Sequence, residues 1–344
     1  MTTDRIHRGS TDVPIDAKVA FLSRAKNYPE KPLRVDPIET HMSWVFLSDA
    51  YVYKLKKPVR HEFLDFSTTD LRHRNCEREV ALNRRLAPNV YLGTVTMTVD
   101  RSGRLELGGE GLPVDWLVKM RRLPAERSLD RAIGRGEASG AALQAAASLL
   151  ANFYRSSPPQ PMESTEYRRR FRDKVRSNHA ELSRSHFALP KSRIDSIADL
   201  QNRFLDHNAA LLDDRAAQNH IIEAHGDLRP EHIFLGPPPV IIDCLEFNRD
   251  FRILDPVDEL AFLAMECERL GAAEVGQLFF ATYARTVNDN PPLPLVNFYK
   301  SCWACFRCRV ALWHIVDTTV RDTARWVSAA HEYLGIAEHY LRKL

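Results

Sequence analysis

The pattern of secondary-structure signals changes once along the chain, at Leu123-Pro124, and that change limits which folds are open to it. From residue 40 to 122 strand signals dominate. The runs SWVFLS and YVYKLKK are β-rich and separated by Asp49-Ala50, which predicts a hairpin. VYLGTVTMTV, a turn at DRSGR, LELGG and VDWLVKMRRL continue the pattern. One helix interrupts it, TTDLRHRNCEREVALNRRLA, with Thr68, Thr69 or Asp70 as N-cap. Its apolar positions Leu71, Val80, Leu82 and Leu86 leave a largely charged outer face. Beyond the switch, helices are expected over SGAALQAAASLLANFYRS, 164–185, 192–217 and the remainder from Asp258 to Leu344. HIIEAH and VIIDCL read as a small strand pair. Residues 1–39 read as a polar extension with a short helix and a Pro-punctuated connector. The expected fold class is α+β: an extension (1–39), a small strand-rich lobe (40–122) and a larger helical lobe (123–344).

Composition excludes several classes. The chain has 344 residues, 44% of them hydrophobic and 27% charged, within the ordinary globular range. A net charge of +3 is close to balance and argues against a general nucleic-acid binder. Six cysteines in a chain this long form no disulfide scaffold. Residues 1–30 have no apolar signal-peptide core, and no run of about 18 apolar residues occurs. The expectation is a soluble, cytoplasmic protein with reduced thiols and no membrane partner.

Chemistry concentrates in HGDLRPEHIFL (225–235) and VIIDCLEF (240–247). Gly226 permits a tight backbone before Asp227, and Pro230 stiffens the loop after it. A loop between buried strands is a usual place for a catalytic side chain. Asp227 can accept a proton from a substrate hydroxyl, and Asp243 emerges at the end of an apolar run. Two such carboxylates suit Mg²⁺ carrying a polyphosphate. Taken singly, Asp227 also reads as a turn residue and Asp243 as a strand-end cap.

Together, HGDLRPEHIFL, VIIDCLEF and LDPVDELAFL resemble the aminoglycoside phosphotransferase family of the protein-kinase-like fold. The motifs cover 225–261 and the family-like stretch runs from about 40 to 344. The resemblance implies a two-lobe fold, with a nucleotide-binding lobe followed by a catalytic and substrate lobe. It also implies transfer of the γ-phosphoryl group of ATP or GTP to a small-molecule hydroxyl, with Mg²⁺ or Mn²⁺. Asp227 takes the position of the catalytic base and Asp243 that of the metal-binding acid. Glu259 stands where the family often has Asp. Such a fold needs a strand-borne Lys and a Glu on the next helix. Lys54 and Glu79 are favoured, with Lys56 and Glu77 as the alternatives. WLVKMRRLP reads as the interlobe hinge, with Met120, Arg121, Arg122 and Leu123 as candidates to hold an adenine edge.

Three features depart from the pattern. No G-x-G-x-x-G precedes Lys54, so the phosphate-covering loop would be Thr40-His41-Met42-Ser43. His232 stands where the family has a metal-binding Asn. It would ligate metal, bond Asp227 or the loop backbone, or mark the loss of a second metal. His225 reads as a structural residue bonding the loop backbone. CWACFRC places Cys302, Cys305 and Cys308 three apart, which fits one face of a buried helix better than an iron–sulfur set.

The acceptor is not named by these motifs. A polycationic acceptor needs carboxylates, for which Glu246, Asp250, Asp258, Glu266 and Glu268 are candidates, and the basic run YRRRFRDKVR opposes it. That run reads as a solvated helix face or as a site for an anionic partner. The second functional class is a nucleotide-binding pseudokinase serving as a regulatory or interaction module. Oligomeric state is left open.

Overall fold

The strand signals of residues 40–122 are realised in one antiparallel sheet, whose strands lie side by side in the order Asp36–Glu39, Ser43–Leu47, Tyr51–Lys56, Leu112–Arg121, Tyr91–Val99 and Leu105–Leu107. In this computed structural model, residues 13–61, 63–184, 189–316 and 323–344 are described. The chain divides into two units, Met1–Ala125 with Ile241–Asn248, and Glu126–Val240 with Arg249–Leu344.

The first unit contains α1 (Ile15–Leu22), β1 (Asp36–Glu39), β2 (Ser43–Leu47) and β3 (Tyr51–Lys56). A small hairpin follows, β4 (Arg60–His61) with β5 (Leu64–Asp65), then α2 (Thr69–Asn83), β6 (Tyr91–Val99), β7 (Leu105–Leu107) and β8 (Leu112–Arg121). β1 lies in what the sequence pattern presents as a connector. Its Pro37 cannot donate to a ladder, which an edge strand tolerates. Period-two alternation sorts β3: Tyr53 and Leu55 enter an apolar cluster with Phe46, Met97, Val114 and Leu117, while Lys54 and Lys56 take the other face. Leu22, Tyr28 and Val35 belong to the same cluster, so residues 13–35 help to close this core.

α2 is capped by Thr68, whose hydroxyl accepts the Leu71 N–H at 3.2 Å. Its buried stripe is Arg72, Asn75, Cys76, Glu79, Val80 and Asn83. The expectation of an apolar inner stripe through Leu71 and Leu82 is corrected here. The charged residues go inward because each meets a counter-charge from elsewhere in the chain. Arg72 donates twice to Asp115, at 2.9 Å each, and Lys18 reaches the same carboxylate at 2.7 Å.

The second unit is helical: α3 (Leu129–Gly134), α4 (Gly140–Ser156), α5 (Ser164–Leu182), α6 (Lys191–His207), α7 (Ala209–Ala217), α8 (Pro256–Arg269), α9 (Ala273–Val287), α10 (Leu293–Val316) and α11 (Thr323–Leu341). The single helix expected over 192–217 is two, broken at Asn208, where φ −120° and ψ 27° leave helical geometry. The expected strand pair is also rearranged. β9 (Ile222–Glu223) pairs antiparallel with β12 (Ile253–Leu254). β10 (Ile233–Phe234) precedes β11 (Val240–Ile241), inside which the chain passes to the first unit.

α5, α6, α8, α10 and α11 share one apolar cluster that includes Phe262, Met265, Trp303 and Tyr333. Gly276 of α9 packs against Ala264 of α8 so closely that a Cβ would sit 2.7 Å from the alanine methyl. The basic face of α5 is neutralised within the unit, by Arg168–Asp213, Arg170–Glu166, Arg172–Asp206 and Lys174–Asp258 pairs. Cys302, Cys305 and Cys308 are buried in α10, and burial pushes the Cys305 and Cys308 thiols up to about 12. Among the described residues no helix is long and apolar enough to cross a membrane.

One buried cation ties α7 to the start of α8. Arg215 makes paired hydrogen bonds to Asp255 at 2.7 and 2.8 Å and to Asp289 at 2.8 and 2.6 Å. Asp255 also caps α8 through the Val257 N–H. Arg215→Met leaves two buried carboxylates without their cation, and a loss of about 3–5 kcal/mol is expected by urea denaturation.

Candidate active site

In the first unit, Glu79 of α2 is fully buried between two ammonium groups. Lys54 donates to its Oε1 at 2.9 Å and Lys56 to its Oε2 at 2.5 Å. Each lysine has a second partner in segment 241–248: Lys54 reaches Asp243 at 3.2 Å and Lys56 reaches Glu246 at 2.5 Å. Burial opposes the Lys54 charge, but Asp243, Glu79 and Glu246 outweigh it and hold the ammonium well above the usual lysine range. Burial likewise opposes the Glu79 carboxylate, and the two lysines hold it below its ordinary value. Glu77, the alternative partner, is largely exposed and lies 3.4 Å from His73.

Asp243 is set by the backbone. Its φ of 62° is left-handed, a conformation few non-glycine residues adopt. The Asp243 N–H donates to the Tyr91 hydroxyl at 3.1 Å and the Cys244 N–H to Asn83 Oδ1 at 2.8 Å. The carboxylate remains 44% exposed at the side chain, so its oxygens can take a hard cation. Tyr91 and Asn83 carry no sequence signal for this role, because only the fold brings them to residue 243.

The loop at 40–43 closes on itself. The Thr40 N–H donates to the Ser43 carbonyl at 2.9 Å and the Ser43 N–H to Thr40 Oγ1 at 3.0 Å. Met120 is a β8 residue paired with Val52 and Tyr91. The N–H groups of Arg121 and Arg122 donate to Val90 and Ala50. Among the described residues, the backbone N–H and C=O of Leu123 make no hydrogen bond within the chain.

Asp227 and His232 belong to the second unit. Glu259 of α8, buried, accepts the Gly226 N–H at 2.6 Å and the His225 N–H at 3.1 Å on one oxygen and the Tyr154 hydroxyl at 2.7 Å on the other. Gly226 has φ 88°, open to glycine without strain. His225 Nδ1 accepts the Asp227 N–H at 3.3 Å. The Asp227 carboxylate is about one-third exposed and lies 3.2 Å from both Nε and Nη2 of Arg229. His232 spans the loop, with Nδ1 2.8 Å from the Asp227 carbonyl and Nε2 3.0 Å from Arg229 Nη2. A carbonyl only accepts and a guanidinium only donates, so these contacts assign a neutral ring protonated on Nδ1. Arg229 was missed from the sequence, although its place two residues after Asp227 was the available signal.

Comparisons with known proteins give the family and the fold. The sequence pattern described as the phosphotransferase enzyme family matches residues 48–289. An uncharacterized protein of Mycobacterium tuberculosis is 35% identical over 284 residues, covering 80% of this chain and 54% of the relative, and one of Mycobacterium bovis matches equally. The chain thus spans about half the length of the curated relatives it matches. A choline/ethanolamine kinase family protein from Mesorhizobium loti has a similar fold, with TM-score 0.56, 14% identity, and coverage of 95% of this chain and 94% of that one. Aminoglycoside 2'-phosphotransferase-IIIa, solved with GDP, gives TM-score 0.54 at 13% identity, covering 95% and 98%. These likenesses show the fold: a strand-rich lobe and a helical lobe of the protein-kinase-like type.

Glu259→Ala strands the His225 and Gly226 amides without their acceptor. Their hydrogen exchange is expected to accelerate by more than that of α10 amides; equal protection in variant and parent would remove Glu259 as the anchor of the loop.

Proposed function

Because this chain belongs to the phosphotransferase enzyme family, we propose that it moves the γ-phosphoryl group of ATP or GTP to a hydroxyl of a small molecule. The observation that carries the reading is Lys54, ion-paired at once with the buried Glu79 and with the exposed Asp243. A cation held this way is oriented before any nucleotide arrives, so little reorganisation is needed when phosphate charge develops.

Asp227 orients the acceptor hydroxyl and takes its proton. The O–H bond breaks as an acceptor O–P bond forms, and the bond from the γ-phosphorus to the β–γ bridging oxygen breaks to release the nucleoside diphosphate. Lys54, fixed by Glu79, contacts the α- and β-phosphates, and Leu123 with Met120 offers backbone groups to the base. The open backbone groups of Leu123 support that placement. Residues 40–43, including Ser43, form the loop nearest to a phosphate cover that the sequence supplies.

Asp243 is the residue that would hold Mg²⁺ or Mn²⁺. Such an ion neutralises charge on the β- and γ-phosphates when bound. His232 fits a ligand role less well, because its ring nitrogens are engaged by the Asp227 carbonyl and by Arg229. We therefore assign it to positioning the loop. The same engagement favours the second reading, a nucleotide-binding regulatory module without turnover. Metal-dependent ATP hydrolysis at high protein concentration separates the two.

Asp227→Asn is expected to lower turnover ~10²–10⁴-fold while nucleotide binding, followed by thermal shift, is retained. Turnover like the parent's would end the assignment of Asp227. His232→Asn is expected to keep or raise the Mg²⁺-dependent rate, and a collapse of that rate would show that the imidazole itself is required.

A further inference from the structure

A cationic acceptor needs carboxylates that the protein's own cations have left open. Of the five acids that the sequence offers, at least four are ion-paired within the chain. Asp258 lies 3.4 Å from Lys174 and accepts the Trp303 indole N–H at 2.8 Å. Glu266 pairs with Arg307 at 2.8 Å and Arg269 at 2.9 Å. Glu268 pairs with Lys300 and accepts from the Tyr340 hydroxyl. Glu246, in the first unit, is held by Lys56 at 2.5 Å. The fifth, Asp250, is an exposed residue of a short turn.

Positive charge, by contrast, faces Asp227 within the second unit. Arg229 lies against its carboxylate, and α8, whose Glu259 holds the Asp227 loop, carries two turns further along the same face the Glu266 that anchors Arg307 of α10. Arg307 is anchored at one end of its guanidinium. Its Nε is placed to donate to Glu266 Oε1 at 2.8 Å and to the Tyr333 hydroxyl at 3.2 Å, with the Tyr333 ring 5.4 Å beneath. Among the described residues its two terminal nitrogens make no hydrogen bond, although the side chain is only 16% exposed. A guanidinium fixed through Nε turns a flat two-donor edge outward, which matches a carboxylate or phosphate and not an ammonium.

We infer that the acceptor is a hydroxyl compound bearing an anionic group, a carboxylate or a phosphate monoester, seated on the terminal nitrogens of Arg307. The inference rests on phosphoryl transfer at Asp227 and adds the substrate class to it. Most of the candidate acids are already matched by the chain's own cations, which disfavours a polycation, and Arg307 selects by charge and by geometry.

The test uses the full chain and four compounds that share a primary hydroxyl and differ in charge: glycerol, glycerate, glycerol 3-phosphate and choline, with inorganic phosphate as the minimal anion. Binding is measured by calorimetry with Mg²⁺ and a non-hydrolysable ATP analogue present, and turnover by acceptor-dependent ADP release. At least one anionic compound is expected to bind roughly tenfold more tightly than glycerol, with choline weakest. Arg307→Met is expected to erase that preference, raising KM for the anion more than it lowers kcat. Because this change also strips a partner from the buried Glu266, the double variant Arg307→Met, Glu266→Gln is measured beside it, with circular dichroism as the check on folding. A preference for glycerate identifies a carboxylate site, and one for glycerol 3-phosphate a phosphate site. Absence of any anion preference, a preference that survives in both variants, or choline binding first overturns the inference. Parent-like turnover in Asp227→Asn would instead count against phosphoryl transfer at that residue, leaving the anion site intact.

Discussion

A carboxylate with no exposure to water, shared by two lysines, sets the geometry of the first unit. Glu79 could not remain ionised there alone, because an isolated buried charge is too costly to desolvate. Lys54 and Lys56 compensate it, and each then extends to a second acid on segment 241–248. The result is one network of two cations and three carboxylates joining β3, α2 and that segment. Removing Lys56 leaves the buried Glu246 without its cation and Glu79 with one lysine in place of two, so the network specifies geometry as much as it supplies stability.

The same economy recurs in the second unit. Glu259 holds the Asp227 loop by its backbone amides, and Arg215 clamps the start of α8, the helix that carries Glu259. The loop beneath Asp227 is thereby fixed by other residues, and the Asp227 carboxylate itself meets Arg229. Many of the charges buried in each unit meet counter-charges in small networks, and Glu259 meets hydrogen-bond donors, which is how a chain of modest net charge packs so many of them inside.

The motifs from 225 to 261 drew attention to Asp227, Asp243 and Glu259 through their order and spacing along the chain, with Gly226, Asp227 and Pro230 in one loop. Strand alternation in YVYKLKK likewise put Lys54 and Lys56 on one face. What was not legible was α2. Its inner face reads as a charged outer face, because hydrophobic periodicity sees apolar residues and not buried ion pairs. Nothing near Arg72 announces Asp115, and nothing near Glu79 announces that it would serve both lysines. Tyr91, Asn83 and Arg307 escaped notice for the same reason: their partners lie far away in sequence.

By itself the sequence determined the strand-to-helix order, the identity of the acid-bearing loops and the lysine strand, since these follow from local periodicity and turn chemistry. The tertiary structure decided which charges are buried, the left-handed backbone at Asp243, the pairing of β9 with β12 and the two ring contacts of His232. Each of those depends on groups brought together across long stretches of chain, where burial strengthens a charge that has a partner and forbids one that does not.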